Sequence, residues 1–131
     1  MTHKLTRTGD SPLVFDGEII SESDGQWHNG QEQNRYHSLA IYTCGNRYVV
    51  AIEYCTNWQG EGSLALAEVC DDAGQVREFL RDYDPTAPVV GFPPTKAYTE
   101  RQKHLMDGIV QRYDAQVSEV LDGDQFTEVV E

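Results

Sequence analysis

Two carboxylates bracket an indole in the segment from Glu53 to Glu61, with Trp58 between them in "YCTNWQGEGS". A pair of acids beside an aromatic platform is what glycoside chemistry uses, one to protonate the leaving oxygen and one to attack or to activate water. That chemistry depends on a separation in space which spacing along the chain does not set. His28, in "QWHNG", is the histidine best placed for proton transfer, carried on a loop beside Trp27; the alternative is a plain exposed loop residue. His37 falls on the core side of a strand and reads as a satisfied buried or rim histidine, while His3 and His104 read as surface residues. Cys44, Cys55 and Cys70 show no C-x-x-C spacing, and no histidines stand at H-x-x-x-H. They are expected as reduced, small apolar side chains. There is no Gly-rich loop opening a helix and no G-x-S-x-G elbow. No metal and no cofactor is therefore expected, and no catalytic residue is assigned.

The elements that must position these residues are led by "RYHSLAIYTC-GN-RYVVAIEYCT", two strands of period 2 about a Gly-Asn turn. Glycine in the first turn position suits type II′. The turn then sets Thr43 opposite Tyr48, Ile41 opposite Val50, Leu39 opposite Ile52 and His37 opposite Tyr54, an apolar face that belongs to the core. The second face carries Tyr36, Ser38, Ala40, Tyr42, Arg47, Val49, Ala51 and Glu53 and is mixed. Cys44 and Cys55 share that face at opposite ends of the hairpin, roughly 26 Å apart, too far for a disulfide.

"SLALAEVC" (63–70) reads as a third strand beside the hairpin. Asp71 or Asp72 caps a short helix, "GQVREFLRDY", with Val76, Phe79, Leu80 and Tyr83 inward. "DPTAPVVGFPP" (84–94) is a proline-rich extended connector. Thr95 opens the longest helix, running to about Leu121, with Tyr98, Leu105, Ile109, Tyr113, Val117 and Val120 or Leu121 on one stripe, Met106 and Val110 widening it, and Gly123 as the stop. Residues 1–11 read as a frayed tail, "PLVFDGEIISES" as a hairpin or one strand kinked at Gly17, "DGQWHNGQEQN" (24–34) as a loop, and 122–131 as a short strand or a flexible tail. The fold class that follows is α+β, one domain over 1–131, with an antiparallel sheet of four to five strands and a long C-terminal helix packed on one face.

The chain has 131 residues and a formal net charge of -12. Residues 58–131 hold 15 acidic and 6 basic side chains, against 7 and 4 in residues 1–57. Such a charge repels nucleic acid and anionic membrane. It favours a protein partner with a basic surface, or simply serves solubility. No apolar run approaches the roughly 18 to 20 residues of a membrane span, and no apolar stretch follows the basic N-terminus as a signal peptide requires. A cytoplasmic location is expected.

The order "LVFDGEIISES … IYTCGNRYVV … TNWQGE" resembles small uncharacterised bacterial proteins of the EXLDI-like type. Residues 13–84 carry the likeness, through Tyr42, Thr43, Gly45, Tyr48 and Val49. The ribbon-helix-helix-like segment of that group is missing from the N-terminus, and the resemblance implies no activity.

Three functional readings follow. The first is a non-catalytic protein-interaction module, binding through the mixed hairpin face and nearby loops, with Tyr36, Tyr42, Glu53, Trp58 and Glu61 as contact residues and a protein partner or a second copy as the occupant. The second is an acidic nucleic-acid mimic that antagonises a nucleic-acid-binding protein; Arg101, Lys103 and Arg112 on the long helix speak against it. The third is a small-ligand binder or enzyme with its pocket near Trp58, Glu53 and His37. Trp27 and Trp58 either join Tyr36 and Tyr42 in an aromatic contact patch or plug the ends of the sheet.

Overall fold

In the computed structural model, which describes residues 1–57, 61–89 and 96–122 and, for 96–99, the backbone alone, the elements run in chain order as follows. The strands are β1 (Thr2–Leu5), β2 (Leu13–Asp16), β3 (Ile19–Asp24), β4 (Trp27–His28), β5 (Gln31–Glu32), β6 (Arg35–Cys44), β7 (Arg47–Thr56) and β8 (Leu64–Cys70). The helices are α1 (Ala73–Asp82) and α2 (Lys96–Val120). The main sheet is four-stranded and antiparallel, in the order β3-β6-β7-β8.

The central hairpin holds the expected register throughout, from Cys44 opposite Arg47 to Arg35 opposite Thr56. Gly45 has φ 61°, and Asn46 is not among the residues with positive φ, as type II′ requires. The apolar face becomes the core: Leu39, Ile41, Val50 and Ile52 are fully buried beneath Val76 and Leu80 of α1 and Tyr113, Val117 and Val120 of α2. Both helices therefore lie on one side, α2 over β3 and β6 and α1 over β7 and β8. Asp72 caps α1, its carboxylate accepting from the Gln75 N–H at 2.9 Å. Substituting Asp72→Ala should cost about 1 kcal/mol, read as a lower urea midpoint; an unchanged midpoint would mean the cap does no better than water.

Ile109, Tyr113, Val117 and Val120 bury as the helical stripe requires, whereas Val110, expected to widen it, stays 37% exposed. On the other edge of the stripe the polar Gln116 is buried instead, donating through Nε2 to the His37 carbonyl at 2.9 Å. Tyr98 lies in α2, with its backbone alone described, and Gly123 and the tail after residue 122 lie outside the described residues.

Four expectations need correction. Residues 1–11 are not a frayed tail: β1 pairs with β2, from Thr2 opposite Asp16 to Leu5 opposite Leu13. "PLVFDGEIISES" is neither a hairpin nor a kinked strand of one sheet; the chain leaves the β1–β2 ribbon at Gly17 and enters the main sheet as β3. Gly17 is needed there, since a Cβ would fall 1.7 Å from the Thr43 carbonyl oxygen. Residues 24–34 are not a plain loop but contain the β4–β5 ribbon. The connector from Asp84 opens as consecutive turns, not as extended chain, with Ala87 N–H on the Asp84 carbonyl and Val89 N–H on that of Thr86; residues 90–95 lie outside the described residues.

The β1–β2 ribbon settles the fate of the mixed face. Phe15 is 9% exposed and packs edge-on against Tyr42, and His3 stacks on Phe15 and tilts against Tyr42. The following loop is tied to β8 through Thr8 N–H to the Ala65 carbonyl at 2.7 Å and Ala65 N–H to Thr8 Oγ1 at 2.9 Å. Val49, Ala51 and Ala67 are buried on this face as a result. Half of it is thus covered by the chain itself.

Candidate functional site

The residues singled out above end up in three places. Tyr42 is held in the ring cluster of His3 and Phe15, under the ribbon. Tyr36 and Glu53 remain on the uncovered half of the second face, where Tyr36 is half-buried and hydrogen-bonded to Cys55, and Glu53 is exposed. Burial pushes both the Tyr36 phenol and the Cys55 thiol above their ordinary values. Glu61 lies with the opposite face. Its carboxylate is 1% exposed, accepts from Arg35 Nε at 3.0 Å and takes the hydroxyl of Tyr54. Since alternate residues of β7 point to opposite faces, Glu53 and the Tyr54-bound Glu61 are not brought together. The carboxylate pair considered for sugar chemistry is not formed. Trp58 lies outside the described residues.

Around Glu61 the core becomes polar. His37, 3% exposed, bonds through Nε2 to the Tyr83 hydroxyl at 3.0 Å and packs its ring against Tyr54, Tyr83 and Tyr113 at centroid distances of 5.2, 5.4 and 5.3 Å. Tyr113 donates in turn to the Leu80 carbonyl. Burial, with the Arg112 charge adding to it, lowers the His37 pKa to about 4. Burial raises the Tyr83 phenol to about 12, with Asp84 assisting, and lifts Tyr54 and Tyr113 further. At neutral pH this is a neutral imidazole among protonated phenols. It can orient groups by hydrogen bonds, but it holds no acid–base couple poised near pH 7.

Between this cluster, the β4–β5 ribbon and α2 runs a groove. Its innermost part, about 10 Å³ and bordered by Gly25, His37, Tyr54 and Gln116, is the size of one water. Two further spaces share lining residues with it: one of about 260 Å³ beside Gln31, Gln33 and Leu105, through Arg35 and Arg112, and one of about 130 Å³ beside Trp27, His28 and Ala115, through Gly25, Arg112 and Gln116. Gly25 forms the wall because a Cβ there would meet the His37 carbonyl at 2.8 Å and the Gln116 amide at 2.9 Å. His28, the loop histidine, is exposed at the rim, with Asn29 Nδ2 3.4 Å from its Nε2. Trp27 beside it is 62% exposed and plugs nothing.

Two signals for this region stood in the sequence. Asn29-Gly30, with φ 51° and 78°, is the type I′ dipeptide that turns a two-residue hairpin. Gly108 sits one turn before Arg112 on α2, where a helix ordinarily avoids glycine. Among the described residues, no group of three or more His, Cys, Asp or Glu is arranged to hold a metal ion, and no helix is long and apolar enough to cross a membrane. No protein-family model matches the chain, and no curated protein or solved structure shows significant similarity to it.

Proposed function

We propose that the chain is a non-catalytic, cytoplasmic interaction module that docks a basic protein surface on the uncovered half of its second sheet face. The observation carrying this reading is the composition of that half. The register puts Glu22 beside Ala40 and Asp24 beside Ser38 on β3 and β6, and Glu53 beside Ser38 on β7. All three carboxylates are exposed, and they surround the half-buried Tyr36. Their proximity is felt electrostatically: Asp24 acts on Tyr36, Glu22 and Glu53 on Tyr42, and Asp24 and Glu53 on Cys55. A tyrosine ringed by acids offers amphipathic contact area and a field that steers a cationic partner. The same charges repel a second copy approaching through this face, and repel phosphate.

The test is a pull-down comparing wild type with Glu22→Lys/Glu53→Lys, two exposed reversals that leave the fold intact. Wild type should retain a basic protein at low salt and release it at high salt, and the variant should lose it at both. Equal retention by the variant would sink this face as the docking surface. A captured nucleic-acid-binding protein that DNA displaces would replace this reading with phosphate mimicry.

A further inference from the structure

The groove under the β4–β5 ribbon contains a cation that forms no ion pair among the described residues. Arg112 borders all three of its compartments. Among the described residues its guanidinium makes no hydrogen bond and no ion pair, although the chain has 22 acidic side chains and 10 basic ones. The side chain is half-buried, and its partial burial lowers its pKa. A guanidinium nonetheless stays protonated in a protein. No buried side-chain nitrogen among the described residues lacks a partner, so the Arg112 nitrogens remain open to the groove. Arg35, which borders two of the same compartments, differs: its charge is met by Glu61.

The helix is built to hold Arg112 there. Side chains on a helix lean toward its N-terminus, over the residue one turn earlier. That residue is Gly108, and a Cβ on it would stand 3.3 Å from Arg112 Nη1. A glycine in mid-helix is unfavourable on propensity; here it leaves the space in which the guanidinium lies back.

We propose that this groove binds a small molecule through its carboxylate, with the Arg112 fork as the receptor. Two parallel N–H···O bonds to a carboxylate are the pairing a guanidinium makes best. The remainder of the ligand has partners to either side: the exposed Trp27 ring in one compartment, the Gln31, Gln33 and Asn34 amides in the other. Asp24, Glu32 and Glu119 also border two of these compartments and penalise a multiply charged anion. A monocarboxylate is therefore favoured over phosphate. Tyr36 and Asp24 border both this groove and the acidic face, but Arg112, which carries this proposal, has no part in the docking reading.

The experiment is an NMR titration of the full chain with sodium acetate, and separately with inorganic phosphate and sodium chloride, at matched ionic strength and pH. The signals followed are the arginine Nε–Hε and indole N–H resonances, with Arg112→Gln and Trp27→Phe giving the assignments. Acetate should shift the Arg112 and Trp27 signals along a saturating curve with a millimolar dissociation constant, and phosphate should bind more weakly. Arg112→Lys should lose about tenfold in affinity, because it keeps charge and loses the fork. Gly108→Ala should improve the helix yet weaken acetate binding severalfold, a combination a purely structural effect would not produce. Linear shifts equal to those with chloride would overturn the proposal, as would saturation unchanged in Arg112→Gln. Should Arg112→Gln fail to fold, Gly108→Ala decides alone: affinity unchanged from wild type would overturn it.

Discussion

Replacing Glu61 by alanine should lower the free energy of unfolding by about 3–5 kcal/mol, the usual loss when one member of a buried ion pair is removed. The pair is well enclosed, with side-chain exposures of 12% for Arg35 and 1% for Glu61. Alanine leaves the Arg35 charge in that environment with its chief carboxylate gone, and it takes the acceptor from the Tyr54 hydroxyl at the same time. Urea unfolding of the single variant measures the loss. The double variant Arg35→Met/Glu61→Leu should recover much of it, because two well-packed apolar side chains avoid the desolvation that the pair must offset. A single-variant loss below about 1 kcal/mol, the range of exposed pairs, would show that water reaches the carboxylate and that the pair does not hold the end of the sheet.

Acid should destabilise the protein through His37. Its pKa is about 4 in the fold against 6.5 for the free side chain. Below pH 6.5 the unfolded chain therefore binds a proton that the folded chain refuses, and stability rises with pH across this window. The contribution is complete above pH 6.5 and is lost as pH falls through about 4. At 1.36 kcal/mol per unit, the total is about 3 kcal/mol. The measurement is ΔG of unfolding from pH 3 to 8 for wild type and for His37→Phe, and the signature is the difference between the two curves. Carboxylates titrate in both proteins and cancel in that difference, so a difference flat between about pH 4 and 6.5 would refute the assignment. Phenylalanine keeps the ring packing against Tyr54, Tyr83 and Tyr113, and the Tyr83 hydroxyl loses one partner, which shifts the variant's curve uniformly.

Much of the scaffold was legible because it rests on short-range geometry. Period 2 on either side of Gly45-Asn46 leaves one register for β6 and β7, and a slip by one residue would send Leu39, Ile41, Val50 and Ile52 to the wrong face. The same logic identified β8, α1 with a cap at Asp71 or Asp72, of which the structure uses Asp72, and the stripe of α2. Where strands were missed, they were too short to carry a pattern. Four residues of β1 and two each of β4 and β5 are below the length at which alternation is distinguishable from chance. Asn29-Gly30 was nevertheless a hairpin signal in its own right.

The candidate sites divide the same way. From its sequence alone this protein determined which strand residues share a face, so that His37 had to enter the core and Tyr36, Tyr42 and Glu53 had to lie together on the other side. Only the tertiary structure decided what those faces meet. It set His3 and Phe15 against Tyr42 while leaving Tyr36 half-buried and Glu53 exposed, and it paired Glu61 with Arg35, 26 positions away, in place of Glu53. It also laid Arg112 in a groove beneath a ribbon about 80 positions earlier in the chain. Alternation and helical periodicity are properties of neighbouring residues and survive in any window. Partners across the fold are chosen by which apolar surfaces remain to be buried once those elements exist, and that choice leaves no spacing in the chain.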